Sequence, residues 1–149
     1  TIKGVLAFLK ELRRRGATLY LASGTDVDDV RREAHLLGYA TLFNGGIFGA
    51  EDTADIDPKR MVLKTILEKI DGDCAGAVAV FGDGPVEIRE ARKRDALAVG
   101  VCSDEVRRYG RNPHKRGRLV RAGADIIIPD FADRRSLYEA LGWEVSDGQ

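Results

Sequence analysis

The chain has 149 residues, with 24 Lys or Arg balanced by 24 Asp or Glu and 44% hydrophobic residues. That length suits one domain burying roughly 70% of its unfolded surface, and zero net charge excludes a whole-molecule field that would draw it to nucleic acid or to a membrane. No apolar run approaches the ~20 residues needed to cross a bilayer, no secretory leader is visible, and Cys74 and Cys102 form no CxxC pair, so a cytoplasmic protein with reduced thiols is expected.

In chain order, a helix is expected over Thr1–Arg15, with Val5, Phe8, Leu9 and Leu12 on one face and a stop at Gly16. An apolar run at Thr18–Ala22 reads as a strand, followed by a helix with Val27, Val30, Ala34 and Leu37 that ends at Gly38. Thr41–Phe43 reads as a second strand. A third helix carries Leu63, Ile66, Leu67 and Ile70 and ends near Gly72, and strands are expected at Ala77–Phe81, Ala96–Val101 and Asp125–Ile128. Further helices are expected after Pro85, Ser103 and Asp133, and Val145–Gln149 is expected to fray. Strands alternating with helices of this length predict βαβ units: an α/β, Rossmann-like, mostly parallel sheet with helices on both faces. A doubly wound sheet ordinarily begins with a strand, so a chain that opens on a helix reads like the middle of a larger fold.

The strand ends carry the chemistry. Ala77–Phe81 runs into Gly82-Asp83-Gly84-Pro85-Val86-Glu87. Open α/β sheets bind ligands at the carboxyl ends of their strands, where Asp83 falls between two glycines that let the backbone turn sharply. Asp83 and Glu87 are one helical turn apart, so both carboxylates can face one point, and Mg²⁺ binds through one or two carboxylates plus substrate oxygens and water. The alternative is a turn-stabilising Asp83 and a Glu87 that merely favours a helix start. A dinucleotide fingerprint fits poorly, because the third glycine is missing and Pro85 lacks an amide.

Thr18–Ala22 delivers Ser23-Gly24-Thr25 to the start of a helix, where a hydroxyl and free amides suit a phosphate oxygen; capping of that helix is the alternative. Asp57-Pro58 reads as a cap and first helical residue, placing Lys59 in the first turn, an unfavourable place for a cation by about 0.3–1 kcal/mol. Lys59 also lies on the same face as Leu63, toward the edge that holds Ser23 and Asp83. Lys64 falls on the flank and reads as solvated. Residues 89–121 hold eleven Lys or Arg, read as a solvated face or as a rim that attracts an anionic substrate. With only Tyr109 interleaved and no reader motif, that stretch does not suggest a nucleic-acid module.

Taken together, Tyr20-Leu-Ala-Ser-Gly-Thr25, a lysine opening a helix, and Phe81-Gly-Asp-Gly-Pro-Val-Glu87 resemble motifs II, III and IV of the haloacid dehalogenase (HAD) superfamily. Asn44-Gly45-Gly46 and Gly123–Asp130 resemble later core elements of its phosphoglycolate-phosphatase-like members. The resemblance implies an Mg²⁺-dependent phosphatase acting on a small phosphomonoester through an aspartyl-phosphate. In it Ser23, with Gly24, would hydrogen-bond the transferring phosphoryl group, Lys59 would hold that group and the nucleophile, and Asp83 with Glu87 would position Mg²⁺. The family's motif I, a strand ending in Asp-x-Asp that supplies the nucleophile and the acid/base, has no match here. Asp26/Asp28, Asp55/Asp57 and Asp71/Asp73 all read as helix starts or turns. The resemblance therefore implies that residues 1–149 are one HAD-like core domain from the C-terminal portion of a larger protein, with the first central strand and the cap elsewhere. The chain alone is then expected to be inactive, and its exposed strand edges favour association into a homo-oligomer. The alternative function is a non-catalytic, phospholigand-binding or regulatory domain of a larger fusion protein.

Overall fold

The computed structural model describes residues 1–51, 57–73 and 78–143; Asp55, Cys74 and Val145–Gln149 lie outside them. The element order is α1 (Val5–Arg14), β1 (Tyr20–Asp26), α2 (Val27–Leu36), β2 (Gly46–Ala50), α3 (Pro58–Asp73), β3 (Ala79–Gly82), α4 (Pro85–Lys93), β4 (Leu97–Val101), α5 (Pro113–Ala122), β5 (Ile126–Ile128) and α6 (Arg134–Ala140). All strand pairs are parallel: β1 with β2, β3 with β4, and β4 with β5. The α/β architecture with parallel strands is thus as the alternating pattern predicts, and the described strands form two groups, β1–β2 and β3–β4–β5.

Strand β4 shows how helices come to cover both faces. Successive strand residues point to opposite sides. Ala98 and Cys102 join the buried cluster of Ile88, Ala91 and Leu119 from α4 and α5. Gly100, on the same side, brings the Leu119 side chain so close that a Cβ would stand 3.0 Å from it. Val101, one step out of phase, belongs to the opposite cluster with Phe8 and Leu12 of α1, Phe131, and Leu137 and Tyr138 of α6. Phe8 is 1% exposed, and its ring meets Phe81 edge-on at 5.5 Å between centroids. Burying a side chain of that size contributes about 1.5–3 kcal/mol, so α1 is held by its apolar stripe and not by propensity alone.

Three expected elements are corrected. Thr41–Phe43 is not a strand: residues Ala40–Leu42 form a 3-10 turn, and the strand begins at Gly46. The reason is Asn44, whose side-chain carbonyl accepts the Leu19 N–H at 2.8 Å and so fixes the turn ahead of the strand. Gly45 then lies flat against the Tyr20 ring, where a Cβ would come within 2.6 Å of it. The helix expected after Ser103 does not begin there but at Pro113. Ser103 bridges antiparallel to Arg111, and the Asp104 carboxylate accepts the Val106 and Arg107 N–H groups, so the chain turns before α5 starts behind its Asn112 cap. Finally, α1 starts at Val5 and not at Thr1, because Gly4 adopts φ +81° against the Phe131 carbonyl. Cys102 is a free, buried thiol. Among the described residues, no helix is long and apolar enough to cross a membrane.

Candidate functional site

Strand β1 swells at its carboxyl end. Ala22 pairs with Phe48 and Asp26 with Ala50, so β1 spends four residue steps where β2 spends two. Ser23-Gly24-Thr25 thus stands opposite Gly49 alone and leaves the ladder as a bulge, a feature common beside sites. Ser23 Oγ accepts the Thr25 N–H at 3.2 Å. The cap of α2 is neither hydroxyl. It is Asp26, whose carboxylate accepts the Asp28 and Asp29 N–H groups at 2.9 and 3.4 Å. Ser23 is therefore not consumed in capping.

Gly24 is where α3 comes in: a Cβ on Gly24 would stand 3.1 Å from Lys59 Cβ and 3.3 Å from the Lys59 nitrogen. Asp57 accepts the Arg60 N–H at 3.3 Å and so caps α3, leaving Lys59 in the first turn, with Val62, Leu63, Ile66 and Leu67 buried behind it. Lys64 is exposed. Of the Asp-x-Asp pairs, Asp26 and Asp57 are thus occupied as helix caps, and Asp71 and Asp73 fall in the last turn of α3.

Asp83 follows β3 directly, half exposed, and α4 starts two residues later at Pro85. Glu87 is the third residue of α4. One of its oxygens, Oε2, accepts the Gly84 N–H at 2.9 Å and caps the helix. The other, Oε1, is buried without a well-formed hydrogen bond and faces the Lys59 ammonium at 2.7 Å. Lys59 Nζ is also 4.0 Å from Asp83 Oδ1. The Lys59 ammonium therefore pairs closely with Glu87 and lies at the outer limit of an ion pair with Asp83. Gly82 allows this closeness, since a Cβ there would stand 2.5 Å from both Cβ and Oε2 of Glu87. Glu90, one turn further, is also buried, but Arg60 and Lys93 take its Oε1 at 3.2 and 3.1 Å, which makes it a structural pair.

Lys115, which is not among the candidates that the sequence offers, also reaches this edge. It lies in the first turn of α5, its side chain 11% exposed, with Nζ 3.5 Å from Asp83 Oδ2 and 2.5 Å from Glu105 Oε1. Asn112-Pro113 was the available signal, the same cap-and-proline pattern that exposed Lys59. The turn bearing Glu105 is tied down on its other side, where Asp130 accepts the Gly110 N–H and Arg108 accepts the Lys3 N–H through its carbonyl. Within it, backbone N–H groups of Arg107 and Val106 hold the Asp104 carboxyl below the usual carboxylate range.

Ser23, Gly24, Lys59, Asp83 and Glu87 thus come from three separate βα junctions to the same end of the strands. The arrangement offers a hydroxyl, cations and two acids suited to a hard, oxygen-liganded metal. Among the described residues no group of three or more His, Cys, Asp or Glu could hold a metal by itself, so substrate or solvent oxygens would complete any such centre. Asn44, Asp125 and Asp130 are structural. Asp125 accepts the Ala98 N–H at 2.8 Å and pairs with Arg92 at 2.7 Å, and Asp130 accepts the Ala132 N–H at 2.8 Å.

A model of the haloacid dehalogenase-like hydrolases matches residues 1–94, well over half of the chain. The chain belongs to that family. No curated protein matches this HAD-like chain. Among solved structures, it is similar to a predicted phosphatase from Clostridium acetobutylicum at 19% identity and TM-score 0.70, covering 93% of this chain and 58% of that one. It resembles a predicted phosphoglycolate phosphatase from Haemophilus somnus 129pt at 21% identity and TM-score 0.69, with 91% and 56% covered. A conserved HAD-like protein of unknown function from Agrobacterium tumefaciens aligns at 20% identity and TM-score 0.73, with 95% and 61% covered. At such identities these likenesses show the fold, and the HAD-like chain spans under two thirds of each relative.

Proposed function

We propose that this HAD-like chain contributes the phosphate- and metal-holding half of an Mg²⁺-dependent phosphatase site, and that the whole protein hydrolyses a small phosphomonoester through an aspartyl-phosphate. The supporting observation is the Lys59 ammonium lodged between Glu87 and Asp83 at 2.7 and 4.0 Å. Two acids drawn onto one cation, with the Gly24 backbone packed on that lysine, fit phosphoryl transfer, which asks a protein for positioning and charge compensation more than for covalent chemistry. Asp83 and Glu87 Oε1 would hold Mg²⁺, which when bound supplies neutralisation of developing charge on the phosphoryl oxygens. Ser23 would donate its hydroxyl proton in a hydrogen bond to a phosphoryl oxygen while its oxygen goes on accepting the Thr25 N–H. Lys59 would turn from Glu87 toward the phosphoryl group and the attacking carboxylate. That carboxylate is proposed to come from outside these residues, since Asp26 and Asp57 are engaged as caps.

Calorimetric titration of the chain with Mg²⁺ should show binding that Asp83→Asn abolishes, while an aryl phosphate plus Mg²⁺ should give no turnover. A chain that takes up no Mg²⁺ overturns the metal assignment. Turnover that Asp83→Asn abolishes would refute the half-site and require a nucleophile within the 149 residues. Phosphate binding by the whole protein without hydrolysis would favour a phospholigand-binding or regulatory domain.

A further inference from the structure

Each of the two acids of the site has its own lysine. Glu87 Oε1 has Lys59 at 2.7 Å, and Asp83 Oδ2 has Lys115 at 3.5 Å. Both lysines sit in the first turn of a helix, against the helix dipole, and both are largely shielded, with side-chain exposures of 35% and 11%. An ordinary solvated lysine has no reason to accept either condition. Lys115 is the more confined of the two, and its second partner, Glu105, is 58% exposed, so that pair is worth little by itself.

We propose that Lys115 is a second phosphate-binding residue, released toward the phosphate when a divalent cation takes Asp83; this rests on the metal assignment made above. A divalent ion on Asp83 competes for the oxygen that Lys115 now faces and repels its ammonium. The freed donor then lies beside the metal, where a phosphoryl or phosphate oxygen would arrive. Glu105 is the competing anion: it neutralises Lys115 while the site is empty of phosphate and yields to a dianion. Metal and phosphate thereby favour one another through this chain's own side chain, in addition to any direct contact between them, and the coupling is reciprocal.

The test is calorimetry of the 149-residue chain with Mg²⁺ alone, and with inorganic phosphate in the presence of Mg²⁺. In Lys115→Met the two affinities should move in opposite directions. Mg²⁺ alone should bind about fivefold more tightly, because a competing charge is gone, and phosphate should bind about tenfold more weakly, because a charged donor is gone. Glu105→Gln, at an exposed position, should raise phosphate affinity severalfold, and Lys93→Met, whose lysine pairs with Glu90, should change neither titration. A fall in both affinities in Lys115→Met would make Lys115 a merely structural support, and no change in either would make it a bystander; each outcome overturns the proposal. Should the wild-type chain bind no Mg²⁺, the metal assignment itself fails, a result distinct from failure of the variants.

Discussion

Replacing Gly82 with alanine tests whether the approach of β3 to α4 sets up the acid pair. The new Cβ would stand 2.5 Å from the Cβ and from Oε2 of Glu87, and 2.6 Å from its Cγ, roughly an ångström short of ordinary contact. Rotation of the side chain cannot relieve this, because the Glu87 Cβ is fixed by α4, and α4 is pinned by Ile88 and Ala91, both 0% exposed. Either the strand and helix separate or Glu87 swings away from Gly84 and Lys59, giving up contacts of 2.9 and 2.7 Å. Overpacking of this kind costs about 1–3 kcal/mol, partly offset by about 0.5 kcal/mol from the stiffer unfolded chain. With a urea slope of about 2 kcal/mol per molar, the unfolding midpoint should fall by roughly 0.25–1.25 M. Trp143, the single tryptophan, packs near Tyr138 with Arg15 over its ring, so its fluorescence reports on the α1–α6 core, against which Phe81, the neighbour of Gly82, also packs. Mg²⁺ affinity measured in parallel should drop about tenfold, the equivalent of one lost charge-assisted contact. An unchanged midpoint together with unchanged Mg²⁺ binding would show that neither the close packing nor the Glu87 position matters, and would refute the reasoning.

Two further expectations concern stability. Gly117 sits in the middle of α5 without a positive φ, and an added Cβ would meet only the tip of the Arg121 side chain at 3.4 Å; Gly117→Ala should raise stability by about 0.5–1 kcal/mol in urea unfolding, and a lowered midpoint would contradict the packing described. Glu11 is held at about 2, below its ordinary 4.5, chiefly by hydrogen bonds from Arg14 and Arg15. Its folded-state value is depressed, so its contribution to stability is present above pH 4.5 and is lost as pH falls to 2. Glu11→Gln should flatten the pH dependence of the urea midpoint across that window, and a dependence identical to wild type would sink the assignment.

Much of the fold could be read along the chain, wherever one physical signal dominated. The apolar stripe of α1 and the Asp57-Pro58 start of α3 are local patterns, as is the Gly82-Asp83-Gly84 turn after an apolar run, and each formed where the pattern put it. The structure departs from the apolar pattern where polar side chains and backbone bridges decide the outcome. Thr41–Phe43 has the apolar pattern of a strand, but Asn44 reaches back 25 positions to the Leu19 N–H and turns the chain there. After Ser103 the Asp104 turn and the Ser103–Arg111 bridge hold the chain open, so the helix starts only at Pro113 and Lys115 falls in its first turn.

The sequence by itself determined the family and the chemical types at the strand ends, because glycine turns, caps and apolar periodicity are written in neighbouring residues. Only the tertiary structure decided which charges meet. It assigned one oxygen of Glu87 to a helix cap and the other to Lys59, made Glu90 a structural pair, and brought Lys115 to Asp83 across 32 positions. Coulombic pairing depends on distances of a few ångströms between separate βα junctions, and spacing along one chain does not encode those distances.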